Sequence, residues 1–328
     1  MAGRPQNVPD PSKRPLLTVA APVADLLSEP SAAAQRLTQL LFNEVLRCLG
    51  EEGDWYMVEA LEQQKLTGEG WRGYPGWARK DGATFIENRP VLDGTVTRGT
   101  VASVFSAPPV YLSAGTRVEM LAKHKENLVG IRLPGGMAAW VPSADIRLTG
   151  AVESPAVKRG QIIETAMSFI GTPYLWGGRS TFLHPIRRNL PVSDAGDASV
   201  ETGVDCSGLV NLSYRTAGID IPRDACDQHA AAKPLPLGQL KPADLIFLAP
   251  GEGQQVNHVI LYLGGERCVE AAETGRPVEV ETFTSRFGYG YKEMMRRVPS
   301  RESRQIYCGS FFEEGWTGTD GARVYDRR

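Results

Sequence analysis

Val204-Asp205-Cys206-Ser207-Gly208-Leu209-Val210 reads as the opening of a helix. Asp205 is a strong N-cap residue, because its carboxylate can accept from amides of the first turn. Leu209, Val210, Leu212, Tyr214 and Ala217 fall on a broad helical face, and Gly218 is placed to end it. Cys206 is therefore expected in the first turn, beside the positive end of the helix dipole and amides without an intrahelical acceptor. Both favour thiolate, the form that attacks carbonyl carbon, over a free thiol with a pKa of about 8.5. Most lone intracellular cysteines are small buried apolar residues. The start of a helix, between Asp and Ser, is a poor setting for one, and Cys206 is read as a nucleophile.

The 328 residues exceed one ordinary core and predict two or three domains. A composition of 42% hydrophobic and 23% charged residues fits a globular chain. The net charge of −2 and the lack of a basic run exclude nucleic acid and an anionic membrane as expected partners. The 35 glycines and 23 prolines suit short strands with many turns. Five cysteines (Cys48, Cys206, Cys226, Cys268 and Cys308), odd in number and widely spaced, argue against a disulfide framework and for a reducing compartment. Cys226-x-x-His229 has no second ligand pair, so no metal or other cofactor is expected. Pro22 and Asp25 break the apolar run Leu16–Leu27, so neither a leader nor a membrane span is read, and the expected location is cytoplasmic. The oligomeric state is not legible.

In chain order, residues 1–15 hold Pro5, Pro9, Pro11 and Pro15 and read as a loose arm. Residues 16–85 and 86–150 read as two copies of one short all-β unit. Val23-Ala24-Asp25-Leu26-Leu27-Ser28-Glu29-Pro30 matches Val101-Ala102-Ser103-Val104-Phe105-Ser106-Ala107-Pro108, and Gly76-Trp77-Ala78 parallels Ala139-Trp140-Val141. The other reading is a single β-sandwich with a chance repeat. Residues 60–73 read as a widened loop of the first unit. Residues 151–300 form a third domain, in which Ile162, Ile163, Ala166, Phe169 and Ile170 predict a helix stopped by Gly171. The strand-like runs after residue 244 make this domain α+β. Residues 179–203 are a long polar insertion, and 301–328 an aromatic-bearing tail expected to dock on the body.

A cysteine nucleophile needs a base within hydrogen-bond reach and a third group to orient that base. Of four histidines, His258 opens the strand His258-Val259-Ile260-Leu261-Tyr262-Leu263. If Gly264-Gly265-Glu266 closes a hairpin, His258 stands opposite Ala272, and Glu270 is its diagonal neighbour on the same face. A carboxylate there can hold the ring through its far nitrogen. A register shift of one residue would turn it away and leave a solvated strand glutamate.

These residues resemble the NlpC-type cell-wall cysteine peptidases, a papain-like superfamily. The resemblance rests on Gly171-Thr172-Pro173-Tyr174-Leu175-Trp176-Gly177-Gly178, Asp205-Cys206-Ser207-Gly208-Leu209, Ile221-Pro222-Arg223-Asp224, Lys241-Pro242-Ala243-Asp244-Leu245-Ile246-Phe247 and His258-Val259-Ile260-Leu261-Tyr262-Leu263-Gly264, in that order. It implies two small all-β SH3-like barrels followed by an α+β papain-like catalytic domain. With two such units ahead, the chain is similar to the dipeptidyl-peptidases that cut γ-D-glutamyl–diamino acid bonds (L-Lys or meso-diaminopimelate) in murein peptides with a free N-terminal L-Ala. The resemblance makes Cys206 the nucleophile, His258 the base and Glu270 the third polar group, where the family usually has His. It makes Tyr174 a support for the oxyanion. It also implies that the first barrel walls the cleft and that Glu44, Tyr74, Asp205, Ser207 and Asp224 receive the substrate, chiefly its ammonium. Arg223 either meets a substrate carboxylate or pairs with Asp224. The departure at Glu270 keeps open a weak or inactive murein-peptide-binding protein, and the insertion keeps open an amidase or acyltransferase on the same scaffold.

Overall fold

The structure, a computed structural model, describes residues 14–104, 108–133, 136–181, 201–296 and 305–312. Its first sheet is built from β1 (Leu16–Val19), β2 (Val23–Leu27), β3 (Arg36–Leu41), β4 (Val45–Glu52), β5 (Trp55–Thr67), β6 (Gly70–Arg79) and β7 (Ala83–Ile86). The second holds β8 (Gly94–Val96), β9 (Thr100–Val104), β10 (Val110–Leu112), β11 (Arg117–Lys125), β12 (Leu128–Arg132), β13 (Ala138–Pro142) and β14 (Ile146–Leu148). The strand orders are β3-β2-β6-β5-β4-β1-β7 and β10-β9-β13-β12-β11-β8-β14. Advancing each label of the first by seven gives the second. The matched strings fall on equivalent strands, β2 with β9 and β6 with β13. Each sheet has its own apolar core, around Leu17, Leu26, Leu46 and Val58 in one and Val96, Val118, Ile131 and Val141 in the other. Two separate sheets with separate cores remove the single-sandwich reading.

The expected loop at 60–73 is instead strand. After a register shift between Ala60 and Gln64, β5 and β6 pair on to Thr67↔Gly70, so the segment is a hairpin arm. Gly70 has φ +106, and the Thr67 hydroxyl donates to its carbonyl at 2.9 Å, which closes the turn. The arm reaches the third unit, where the Arg223 amide donates to Gln64 O at 3.1 Å and the Leu66 amide to Asp227 Oδ2 at 3.2 Å.

The third unit begins with α1 (Pro155–Ser168), capped by Ser154 and carrying Pro at its first position. Then come α2 (Cys206–Thr216), α3 (Ala225–Ala231), β15 (Lys233–Leu235), β16 (Leu245–Ala249), β17 (His258–Gly264), β18 (Arg267–Glu270), β19 (Glu279–Thr282), α4 (Phe283–Phe287), α5 (Tyr291–Met294) and β20 (Gln305–Ser310). The sheet order is β15-β20-β16-β17-β18-β19. β20 corrects the expected tail. It lies inside the sheet, paired with β15 and β16, and Phe311 and Phe312 pack on Tyr214 with ring centroids 5.5 and 6.0 Å away. Trp316 and the rest of the tail lie outside the described residues, as does the insertion from 182 to 200. Thr181, where the described part of the insertion stops, is held on the second unit by Ser113, Ala114 and Tyr111.

The three units share buried contacts. Val23, Leu41 and Ala114 join the core of the third. Gly115 (φ +83) marks the junction, since a Cβ there would stand 2.7 Å from Leu212 and 3.5 Å from Leu41. Around it Arg215, 1% exposed, pairs with Glu62 and with Asp220 (3.2 Å), and donates to Gly115 O at 2.7 Å. Arg117 of the second unit also meets Asp220, at 2.7 Å.

Candidate active site

α2 begins at Cys206 because Asp205 caps it: Oδ1 accepts from the Gly208 amide at 2.6 Å and from the Ser207 hydroxyl at 3.2 Å. Gly208 lets this first turn press on the segment before it. A Cβ there would lie 2.2 Å from Gly178 O. Every residue of the helix is buried. The thiol is thus fixed at the floor of a cleft of about 740 Å³.

His258 opens β17 at the side of this cleft. The β17–β18 register pairs Leu261 with Val269 and Tyr262 with Cys268, the register expected for the outer part of the hairpin. At the hairpin end, Gly264 instead of Leu263 meets Arg267, because the strand bulges there. The expected diagonal contact forms: His258 Nε2 lies 2.5 Å from Glu270 Oε2. That leaves Nδ1 for the Cys206 sulfur, with which the ring also hydrogen-bonds. Burial disfavours the imidazolium, but the negative sulfur and Glu270 outweigh it and raise the His258 pKa to about 9. Glu270 is 2% exposed, and burial alone would raise its pKa. His258 and Arg286, whose Nε donates to Oε1, outweigh that and hold the carboxyl below its usual range.

Arg286, on α4, was not legible. Nothing in Phe283–Phe287 marks one arginine as reaching back across the sheet edge to Glu270. Together these groups form a cysteine–histidine couple with a locked ring, suited to nucleophilic attack and proton return. The couple needs its imidazolium, so activity is expected to fall as pH rises through about 9. In a pH–kcat/KM profile, Glu270→Gln should move this alkaline limb to lower pH, since it removes a charge that favours the imidazolium. An unmoved limb would detach Glu270 from the histidine.

The first unit supplies one wall of the cleft through Arg36, Leu37 and Tyr74. Tyr174, Asp205, Ser207 and Asp224 also line it. Burial, with the charges of Cys206 and Asp205, raises the Tyr174 pKa and keeps that phenol a donor. Asp224 stands at the N-cap of α3 without capping it. Its Oδ2 instead accepts from the Tyr74 hydroxyl (2.9 Å) and the Lys65 ammonium (2.6 Å). Burial and the Asp224 charge push the Tyr74 phenol up to about 12.

Two expected substrate residues are not brought to the cleft. Glu44 is 1% exposed and lies 2.7 Å from Arg179 Nη1, with Gln63 donating to its other oxygen at 2.9 Å. It ties the first unit to the third. Arg223 pairs with Asp205 rather than Asp224, through Nη1 at 3.0 Å and Nη2 at 2.7 Å, and also donates to Ser207 Oγ at 2.8 Å. It sits behind the carboxylate, 1% exposed. Asp205 and Ser207 keep their places at the cleft but spend most of their hydrogen bonds on Arg223 and the cap.

Among the described residues, Asp224, Cys226 and Asp227 bring possible ligand atoms within 4.8 Å of one another. Lys65 and the Leu66 amide already occupy the two carboxylates, which does not suit a cation. His229 is elsewhere, packed on Phe247 and Tyr307. Burial and the neighbouring Asp227 and Asp224 raise the Cys226 thiol to about 11, so it stays protonated at neutral pH.

Comparison with known proteins agrees with this geometry. The NlpC/P60 family pattern matches residues 171–297. A γ-D-glutamyl-L-lysine dipeptidyl-peptidase of Bacillus subtilis is 32% identical over 253 residues, 75% of this chain and 76% of that protein. A protein of the same name from Bacillus cereus is 29% identical over 259 residues, 74% and 69% of the two chains. The crystal structure of an NlpC/P60 family protein from Bacillus cereus superposes with a TM-score of 0.69 at 22% identity, covering 83% of this chain and 95% of that one, and so shares the fold. The chain belongs to the NlpC/P60 family.

Proposed function

We propose that this protein is a cysteine peptidase that hydrolyses the γ-D-glutamyl–diamino acid bond of murein peptides bearing a free N-terminal L-Ala, in cell-wall peptide recycling or turnover. Its substrate is the peptide L-Ala-γ-D-Glu-diamino acid. The observation that carries the reading is a cleft lined by Cys206 and His258, with Glu270 hydrogen-bonded to the far side of the ring, and by Tyr74 from another unit. Two relatives named γ-D-glutamyl-L-lysine dipeptidyl-peptidase support the substrate class. Cys206 attacks the γ-carbonyl, His258 gives its proton to the leaving amine, and water then releases the acyl group with His258 as base. Tyr174 and a backbone amide near Cys206 stabilise the oxyanion. Tyr74 and Asp224 receive the substrate's ammonium. The two β units are SH3-like modules in this reading, supported by their repeated strand order. The expected cytoplasmic location rests on five cysteines without a disulfide.

Mass spectrometry of L-Ala-γ-D-Glu-meso-diaminopimelate incubated with the protein tests the reaction. Release of L-Ala-D-Glu, absent with Cys206→Ala, is the expected result. An intact tripeptide beside correctly folded protein overturns the proposal.

A further inference from the structure

The acidic end of the cleft already holds an ammonium, and it belongs to the chain. Lys65 Nζ lies 2.6 Å from Asp224 Oδ2, 3.3 Å from the Tyr74 hydroxyl and 4.5 Å from the centre of the Tyr74 ring. These three contacts (a carboxylate, a hydroxyl and an aromatic face) are the partners that a buried primary ammonium needs. The placement is built in. Lys65 stands on the hairpin arm between Gln64 and Leu66, and both neighbours are clamped: the Gln64 carbonyl accepts from the Arg223 amide and the Leu66 amide donates to the Asp227 carboxylate, on either side of Asp224. Asp224 also forgoes capping α3 to make these contacts.

We infer that Lys65 is a specificity-determining residue: an internal competitor that occupies the ammonium subsite at Asp224 and Tyr74 and must be displaced by the amine of an incoming peptide. This rests on the proposal that the peptide's N-terminal amine enters there. An arriving ammonium meets a carboxylate oxygen that already accepts two hydrogen bonds and a resident positive charge. A ligand offering only an amine gains little by exchange. A peptide that also fills the rest of the cleft can drive Lys65 out toward solvent, which its 30% exposed side chain already reaches. The subsite therefore selects peptides that bring an amine together with a correctly placed γ-glutamyl group.

The test is calorimetric binding of the product dipeptide L-Ala-γ-D-Glu and of its N-acetyl form to the wild-type protein, Lys65→Met and Lys65→Arg. Removing the competitor should tighten binding of the free-amine dipeptide by about 10-fold or more, the scale of one charge-assisted hydrogen bond no longer exchanged. Binding of the acetylated dipeptide should not change, which also reports an intact cleft. Lys65→Arg should stay with the wild type. Equal change for both ligands, weaker binding of the free amine, or no binding of either dipeptide overturns the inference. Failure of the peptidase reading shows separately, as a tripeptide left uncut by a wild-type protein whose dipeptide binding responds to Lys65→Met as expected.

Discussion

Cys206→Ala is expected to lower kcat/KM for the tripeptide by about 10⁴-fold or more, the scale seen when a covalent nucleophile is removed. No other group takes its place. The other thiol lining the cleft among the described residues, Cys226, has its pKa raised to about 11 and donates to Asp227 Oδ1. Water attacking directly, even with His258 as base, is a weaker nucleophile than the sulfur and forms no covalent intermediate. The helix itself should survive. The cap that starts it belongs to Asp205, and alanine is a strong helix former. An unchanged melting temperature with activity gone is the predicted pair of results. Activity above about 1% of wild type would refute Cys206 as nucleophile, since water chemistry in the same cleft falls well below that.

The second large effect concerns stability. Arg215→Ala should destabilise the protein by about 3–5 kcal/mol, the cost of breaking a buried ion pair from one side. Its guanidinium serves Glu62 of the first unit, Gly115 O of the second and Asp220 of the third. Without it, Glu62 retains Arg117 at 3.6 Å, too far for a direct hydrogen bond. Glu44, 3.6 Å from Arg215, loses one of two cations that overcome burial and hold its carboxyl below 4.5. Asp220 is likewise held below 3.8, against burial, by Arg117 and Arg215. Carboxylates lowered in the folded state stabilise it fully above their ordinary range, and that contribution is lost as pH falls through the lowered values. Arg215→Ala should therefore show a lower urea midpoint at pH 7 and a smaller further loss on acidification. A midpoint shift corresponding to under about 1 kcal/mol would place this cluster with surface ion pairs of little consequence.

Local signals carried much of the site. The cap at Asp205 placed Cys206, and a hairpin closed at Gly264-Gly265-Glu266 put Glu270 on the face of His258. Even the bulge at Gly264 left the register beyond it unchanged. What was not legible depends on partners far along the chain. Glu44 looks like any turn glutamate until Arg179, 135 residues later, folds onto it. Arg223 stands next to Asp224 in sequence, yet its guanidinium turns to Asp205, which also caps α2. Lys65 lies in the segment that reads as a widened loop, because no short-range pattern distinguishes a lysine aimed at a cleft from one in water. β20 is not legible because a strand of six residues carries little periodicity of its own, and its neighbours β15 and β16 lie at least 56 residues earlier in the chain.

Phe42 belongs by sequence to the first β unit, just after β3, yet its side chain joins the core of the second, with Val96, Leu112 and Val118. The repeat in strand order invites the idea of interchangeable beads. Phe42 denies it. A transplanted second unit would arrive with a hole where that ring sits, and a solitary first unit would carry an aromatic ring into water. Recombination that swaps either bead from another lineage would have to carry its neighbour along, so the pair should travel through evolution as one cassette.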